Sequence, residues 1–97
     1  MRVRVNRRVF SDIEAAMEYY ATKAGSNLAR DFYDEFKRCK RVISERPTSF
    51  PVVRHGIRRV NFHRFPYHIL YRLIGKESAV ILIVKHDRRD SGFGLNR

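Results

Sequence analysis

The chain has 97 residues, of which 43% are hydrophobic and 32% are charged, and these values predict one folded domain, 1–97. Its single cysteine excludes an intramolecular disulfide. The longest apolar run, 79–84, is far shorter than the ~20 residues that cross a bilayer, and the N-terminal sequence MRVRVNRR lacks the apolar segment of a signal peptide. We therefore expect a cytoplasmic protein without a membrane partner.

The net charge of +11 is distributed unevenly along the chain. Residues 1–10 contain four Arg and no acidic residue, whereas residues 11–46 contain seven basic and seven acidic residues. Residues 47–97 contain ten basic and three acidic residues. Because the excess of positive charge lies outside the middle segment, we expect one neutral and one strongly cationic part of the molecule. Such a distribution favours a polyanionic or acidic partner.

The first half of the chain predicts a strand followed by two helices. Arg and Val alternate over 2–6, as in a half-buried strand. The capping-box sequence SDIE, 11–14, predicts the start of a helix that ends at Gly25. A second helical apolar stripe runs over 28–43 and ends before Pro47, which disfavours helical geometry in the preceding residue. The two helices should form an antiparallel hairpin.

The second half predicts three strands after an irregular connection. Two prolines and a glycine mark the connection over 46–56. The segments 57–62, 67–74 and 78–86 are rich in Val, Ile, Phe and Tyr, and the unbroken run AVILIV in the last one is typical of a central strand. The polar segment 87–97 should be a mobile tail. The predicted fold is α+β: an N-terminal strand, a helical hairpin and a three-stranded antiparallel meander, with the helices packed on one sheet face.

Basic residues are concentrated on the predicted strands. In the strand 67–74, alternation places His68, Leu70 and Arg72 on the face opposite to the tyrosines. Arg suits bidentate recognition of carboxylate and phosphate, so we expect a surface that binds an acidic protein segment or nucleic acid. The alternative is a solvated face that protects edge strands from pairing. The predicted binding surface consists of Arg2, Arg4, Arg58, Arg59, Arg64, Arg72, Lys85, Arg88 and Arg89.

The four histidines show no metal-ligand spacing, and we expect neither a metal site nor a cofactor. His86, at the end of the last predicted strand, is the best candidate for acid–base chemistry, because imidazole titrates near neutral pH. Arg88 and Arg89 follow it and could hold a phosphate. The alternative is a structural histidine that hydrogen-bonds the chain end.

The segment RRVNFHRFPYHILYRL, followed by VILIVKHDRRD, resembles the RelE/ParE superfamily of bacterial toxins, also called plasmid stabilisation proteins. The family pattern is an Arg-containing strand, a tyrosine-rich strand ending in Tyr-Arg, and an apolar strand that closes on His and Arg. The N-terminal strand and helical hairpin also follow the family order, so the resemblance covers nearly the whole chain. The matching residues are Arg58, Tyr67, Ile69, Tyr71, Arg72, Val84, His86, Arg88 and Arg89.

This resemblance implies the toxin of a type II toxin-antitoxin pair, neutralised by an acidic, partly disordered antitoxin through which an oligomer could form. ParE-like members inhibit DNA gyrase by binding it, whereas RelE-like members cut messenger RNA on the ribosome without metal. Two departures from the RelE-like pattern favour the ParE-like branch. His68 stands where RelE-like members tend to have Arg, and Phe93 and Gly94 stand where they often have Tyr.

Two alternatives to gyrase inhibition remain open at this point. In a ribosome-dependent ribonuclease, Arg58, Arg72, Arg88 and Arg89 would hold the phosphate, and His86 or His68 would transfer protons. The second alternative is a degenerate family member that is not toxic.

Overall fold

The computed structural model describes residues 1–89, 92–94 and 97. The elements in chain order are β1 (Arg2–Val5), α1 (Val9–Ala24), α2 (Ser26–Glu45), β2 (Val52–Arg54), β3 (Ile57–Asn61), β4 (Tyr67–Ile74) and β5 (Ser78–His86). The strands form one sheet in the order β1-β5-β4-β3-β2, with β1 parallel to β5 and all other neighbours antiparallel. The predicted α+β fold, with its N-terminal strand, helical hairpin and meander, is confirmed. Neither helix of the described chain has an apolar stretch long enough to span a bilayer.

The start of α1 differs from the prediction. The helix begins at Val9, so that the predicted capping residue Ser11 lies inside the first turn and is exposed. Val9 is completely buried, and its apolar contacts favour a helix that begins early enough to include it. The side-chain Oδ1 of Asn6 accepts a hydrogen bond of 2.9 Å from the backbone N–H of Arg8 and stabilises the turn that leads into the helix. The prediction that α1 starts at Ser11 was therefore wrong.

The ends of the helical hairpin follow the prediction. Gly25, between the two helices, has φ 100°, a conformation that glycine adopts without steric cost. Arg46 leaves helical geometry with φ −140° and ψ 63°, as expected for a residue that precedes proline. The apolar stripe of α2 is buried and comprises Ala29, Phe32, Phe36, Cys39 and Ile43.

The connection after α2 contains a short strand that the sequence did not predict. Val52–Arg54 is an edge strand of the sheet and pairs with β3. It directly follows Pro51, and proline is tolerated at the start of an edge strand. Arg58 holds this connection: its Nη1 donates to the carbonyl oxygens of Thr48 at 3.2 Å and Phe50 at 2.7 Å. The prediction of an entirely irregular segment over 46–56 was therefore wrong, because β3 offers a free edge that this segment can pair with.

Both helices pack on one face of the sheet and bury the main core there. The sheet contributes alternate residues from β3, β4 and β5, and Phe32 of α2 lies at the centre, with ring contacts to Phe62, Phe65 and Tyr67 at 4.9–5.2 Å. Tyr71 is completely buried, and its hydroxyl donates to the Pro47 carbonyl at 2.5 Å. The core residues are Val9, Ile13, Ala16, Phe32, Phe36, Cys39, Ile43, Val60, Phe62, Phe65, Ile69, Tyr71, Ala79, Ile81 and Val84.

We call the opposite face of the sheet, which neither helix of the described chain covers, the helix-free face. It carries a smaller apolar cluster, in which Ile57, Leu70, Leu82 and Ile83 are buried and Val80 and Phe93 pack at the margin. Strand alternation also places Arg2 and Arg4 of β1 on this face, because Val3 and Val5 pack on the helical side.

A β-bulge interrupts the pairing of β4 with β5. Tyr71 lies opposite Ile81 and Leu70 lies opposite Ile83, so that Leu82 is an extra residue in β5. Leu82 and Ile83 both belong to the apolar cluster of the helix-free face. Beyond the bulge, the alternation of β5 is therefore reversed. Residues 84 and 86 lie on the helical side of the sheet, whereas residue 85 lies on the helix-free face.

The C-terminal segment contacts both sides of β5. Phe93 packs beside the helix-free cluster, and Arg97 forms a bidentate ion pair with Asp12 of α1 at 2.6 and 3.1 Å. Both side chains of this pair are less than one-tenth exposed, and the Asp12 carboxylate also accepts from the Val84 N–H at 3.2 Å. Residues 90, 91, 95 and 96 of the tail lie outside the described residues, and mobility of the segment 87–97 stays a prediction.

Candidate functional site

A cavity of 210 Å³ opens on the helix-free face, where β2, β3, β4 and the end of β5 come together. Strand pairing builds it: Asn61, His68 and Lys85 lie in one row across three strands, and Arg59, Leu70 and Ile83 lie in the next row. We call it the cationic cavity. It is lined by Val53, Arg54, Arg59, His68, Leu70, Lys85, Asp87 and Arg89.

A histidine–aspartate pair forms the floor of the cationic cavity. His68 is only 3% exposed, and its Nδ1 lies 2.8 Å from Oδ1 of Asp87. A carboxylate can only accept, so Nδ1 of His68 is the donor, and the lone pair of the neutral ring is on Nε2. The backbone N–H of Asp87 donates to the Pro66 carbonyl at 2.8 Å and fixes the position of the carboxylate.

The protonation of His68 follows from its surroundings. Burial lowers the pKa of His68 below its ordinary value of 6.5, because the charged ring would lose its hydration. The hydrogen bond with Asp87 acts in the opposite direction but does not outweigh burial, and the positive charges of Arg59 and Lys85 lower the pKa further. At neutral pH His68 is therefore a neutral ring held by a carboxylate, rather than one more cation in the cavity.

Two arginines of the cavity are held by neighbouring side chains. Arg59 donates from Nε to Oδ1 of Asn61 at 2.7 Å, and its Nη2 lies 3.5 Å from the Asp87 carboxylate. The guanidinium of Arg89 stacks on the ring of Phe93, with 3.8 Å between its Cζ and the ring centroid. These contacts reduce the rotamer freedom of the two guanidinium groups and keep them close to the cavity.

The composition of the cationic cavity suits a small anion. Among the described residues that line the cavity, Arg54, Arg59, Lys85 and Arg89 are cationic and Asp87 carries a carboxylate. Lys85 is only 7% exposed, and Val53 and Leu70 supply apolar wall. Because charges attract more strongly where water is partly excluded, this arrangement favours an anionic group more than scattered surface arginines would.

The predicted binding residues divide between the two faces of the sheet. Strand alternation and the bulge place Arg2, Arg4, Arg59, Arg72 and Lys85 on the helix-free face, and Arg89 lines the cationic cavity. The remaining three lie elsewhere. Arg58 holds the connection before β2, Arg64 pairs with Asp31 of α2 at 3.2 Å, and Arg88 is exposed beyond the end of β5.

The residues predicted for the ribonuclease alternative do not form one cluster. His86 lies on the helical side, where its ring packs edge-on against Tyr67 at 5.2 Å and its Nδ1 accepts from the Arg88 N–H at 3.0 Å. His68 lies on the opposite face with Arg72 of the same strand, whereas Arg58 points to the helical side. Among the residues that the structure describes, no three His, Cys, Asp or Glu side chains gather as a metal site.

Sequence reasoning missed two charged residues of the cavity, Arg54 and Asp87. Arg54 belongs to the short strand that was predicted as irregular connection. Asp87 directly follows β5, and a carboxylate placed directly after Lys85 and His86 could have been matched to a histidine of the neighbouring strand. No sequence feature predicted the bulge at Leu82, although this bulge decides which residues of β5 face the cavity.

Comparison with known proteins is consistent with this fold. A family model described as the ParE toxin of type II toxin-antitoxin systems, parDE, matches residues 3–91. A chain of the structure titled "Chromosomal ParDE TA system from P. aeruginosa" is similar with a TM-score of 0.79 and 18% identity, over 89% of this chain and 95% of that chain. No curated protein matches the chain at a significant level. The match to the family model covers nearly the whole chain, which therefore belongs to the ParE toxin family of type II toxin-antitoxin systems.

Proposed function

We propose that this toxin inhibits DNA gyrase by binding it, and that an acidic antitoxin neutralises the toxin. The observation that carries the proposal is the bulge at Leu82, which separates His86 from His68 by the thickness of the sheet. A ribonuclease needs an acid, a base and phosphate-binding groups around one scissile bond. The separation supports action by binding rather than by RNA cleavage.

The charge distribution supports the acidic antitoxin. The helical segment 11–46 is balanced, and the helix-free face carries a row of arginines and the cationic cavity. An acidic segment approaching this face would be steered by its field and would form charge-assisted hydrogen bonds there. We expect its affinity to fall with increasing salt, because exposed ion pairs are screened over ~8–10 Å under physiological conditions.

Gyrase inhibition is tested with purified components. Addition of the toxin to gyrase should reduce DNA supercoiling and increase cleaved DNA complexes, and prior mixing with the antitoxin should restore supercoiling. Unchanged gyrase activity at saturating toxin would contradict the proposal. A variant with both His68→Asn and His86→Asn should still inhibit gyrase, because neither ring transfers a proton in a mechanism based on binding.

Ribosome-dependent RNA cleavage is the second candidate, and the position of His68 favours it. A neutral imidazole held by Asp87 beside Arg59 and Arg89 has the elements of a general base near phosphate-binding groups. The deep burial of His68, at 3% exposure, restricts the contact that a substrate hydroxyl could make with it. Cleavage should then depend on His68 and not on His86.

Sequencing of transcript ends after toxin induction separates the two candidates. Codon-phased cuts that disappear in the His68→Asn variant would establish the ribonuclease, and their absence together with gyrase inhibition would exclude it. A growth assay tests the remaining alternative, a family member without toxicity. Normal growth of cells that express the toxin alone would contradict both mechanisms.

A further inference from the structure

We propose that the cationic cavity is the receptor for a single carboxylate side chain, Asp or Glu, of the antitoxin. This inference rests on the proposed acidic antitoxin. It places the recognition of the antitoxin's negative charge in one cavity rather than across the whole helix-free face. The cavity differs from the rest of that face because four cationic side chains line one concave volume and one of them, Lys85, is buried, whereas Arg2 and Arg72 do not line it.

The cavity has room for a carboxylate, and two of its cations are held in place by neighbouring side chains. Its volume of 210 Å³ accommodates a carboxylate and the methylene groups that carry it. Arg59 and Arg89 are restrained by Asn61 and Phe93, so that less side-chain entropy is lost when they bind an anion. A preorganised group of this kind gains more from one well-placed carboxylate than mobile surface arginines do.

The charges inside the cavity favour a carboxylate over a phosphate. Asp87 is already present, hydrogen-bonded to His68 and within 3.5 Å of Arg59. A second anion must share these cations with Asp87, and a group with one negative charge is repelled less than a phosphate monoester with nearly two. Since His68 is neutral, it adds no positive charge that would compensate for a dianion.

The apolar surroundings indicate a protein rather than a nucleic acid. Val53 lines the cavity, and it and its neighbour Val52 are 51% and 52% exposed on the edge strand β2. A protein segment that inserts a carboxylate would cover these side chains, whereas a sugar-phosphate backbone would leave them in water. The outer edge of β2 also offers backbone groups to an extended segment.

The first experiment measures antitoxin affinity for three double variants that each remove two positive charges. Arg54→Gln with Arg89→Gln empties the cavity of two cations and should weaken binding about 100-fold, because the partner carboxylate is left poorly paired. Arg2→Gln with Arg72→Gln, on the same face outside the cavity, should weaken binding about 5-fold. Arg30→Gln with Arg41→Gln, on the exposed side of α2, is the matched control for net charge and should have a smaller effect.

The outcomes of this experiment are distinct. Equal losses for the cavity pair and for the Arg2/Arg72 pair would overturn the inference, because they would indicate a diffuse surface. If the cavity pair loses affinity for single-stranded RNA or DNA and keeps its affinity for the antitoxin, the occupant is a phosphate and the inference is also overturned. Circular dichroism of each variant shows whether a loss comes from unfolding.

A second measurement does not depend on the antitoxin. Acetate and inorganic phosphate are titrated into the free toxin at constant ionic strength, and the side-chain NMR signals of His68 and Arg59 are followed. Acetate should give saturable shifts that are absent in the Arg54→Gln/Arg89→Gln variant. Absence of saturable shifts with acetate in the wild-type toxin would overturn the inference. If acetate binds in the cavity but the acidic protein tested as antitoxin does not bind the toxin, the proposed antitoxin is wrong, and the carboxylate site in the cavity is still supported.

Discussion

The two faces of the sheet differ in composition, although residues of the same strands alternate between them. On the helical side, Phe32 and the surrounding rings form a closed aromatic core. On the helix-free face, a small apolar cluster lies beside a cavity with four cationic side chains. This difference shows that the helical side mainly stabilises the fold, whereas the helix-free face leaves charge and apolar surface available to a partner.

The largest effect should follow from a substitution on the helical side. Phe32→Ala removes a completely buried ring and should reduce the free energy of unfolding by about 3–5 kcal/mol. Urea denaturation followed by circular dichroism measures the loss. In the fraction that stays folded, the NMR signals of the cavity residue His68 should change little. A small loss of stability would contradict the assignment of this face as the principal core.

A smaller effect is expected where the C-terminal segment meets α1. Asp12→Ala removes the carboxylate that pairs with Arg97 and accepts from the Val84 N–H. It should reduce the free energy of unfolding by about 2 kcal/mol. The loss is limited because Arg97, near the chain end, can turn to water. The same urea titration measures this loss. If residues 87–97 are mobile and contribute nothing, Arg97→Ala would leave the stability unchanged, and Asp12→Ala would cost only its hydrogen bond with the Val84 N–H.

The pH dependence of stability tests the helix-free face. Because burial lowers the pKa of His68 in the folded state, the unfolded chain binds a proton there more readily. Wild-type stability should therefore decrease as the pH falls below about 6.5, the ordinary histidine value, toward the lower folded-state pKa. The His68→Asn variant keeps a donor for Asp87 and should show a weaker decrease between pH 7.5 and 5.5. Identical pH profiles would contradict the buried neutral ring.

The smallest effect is expected on the outer surface of the helices. Lys37 pairs with Asp34 at 3.3 Å, and both side chains are more than half exposed. Lys37→Ala should change stability by less than about 0.5 kcal/mol, because water screens such a pair. Its affinity for the antitoxin should match that of the wild type. A loss of affinity comparable to that of the cavity variants would mean that the partner binds the helical layer.

The sequence predicted most of the fold because its periodicities are strong and local. The alternating β1, the stripe of α2, the stop at Pro47 and the strands of the meander all follow from spacing and turn residues. The start of α1 was misplaced since the tertiary burial of Val9 outweighed the capping preference of Ser11. Such burial depends on residues that are distant in sequence.

The candidate site was less predictable because it depends on register. Regular alternation from Ala79 would place His86 on the same face as His68 and Arg72. The extra residue Leu82 reverses the alternation and turns Lys85 toward the cavity instead. A one-residue bulge has no clear sequence signal in a run as uniformly apolar as AVILIV.

The most direct test of the central claim is the mapping of amide chemical shifts of the isotope-labelled toxin during titration with its antitoxin. The largest shifts are expected around the cationic cavity, in residues 53–59, 68–70 and 85–89, with small shifts on the exposed side of α1 and α2. Large shifts confined to the helical hairpin, with the cavity signals unchanged, would contradict the claim that the helix-free face is the binding face.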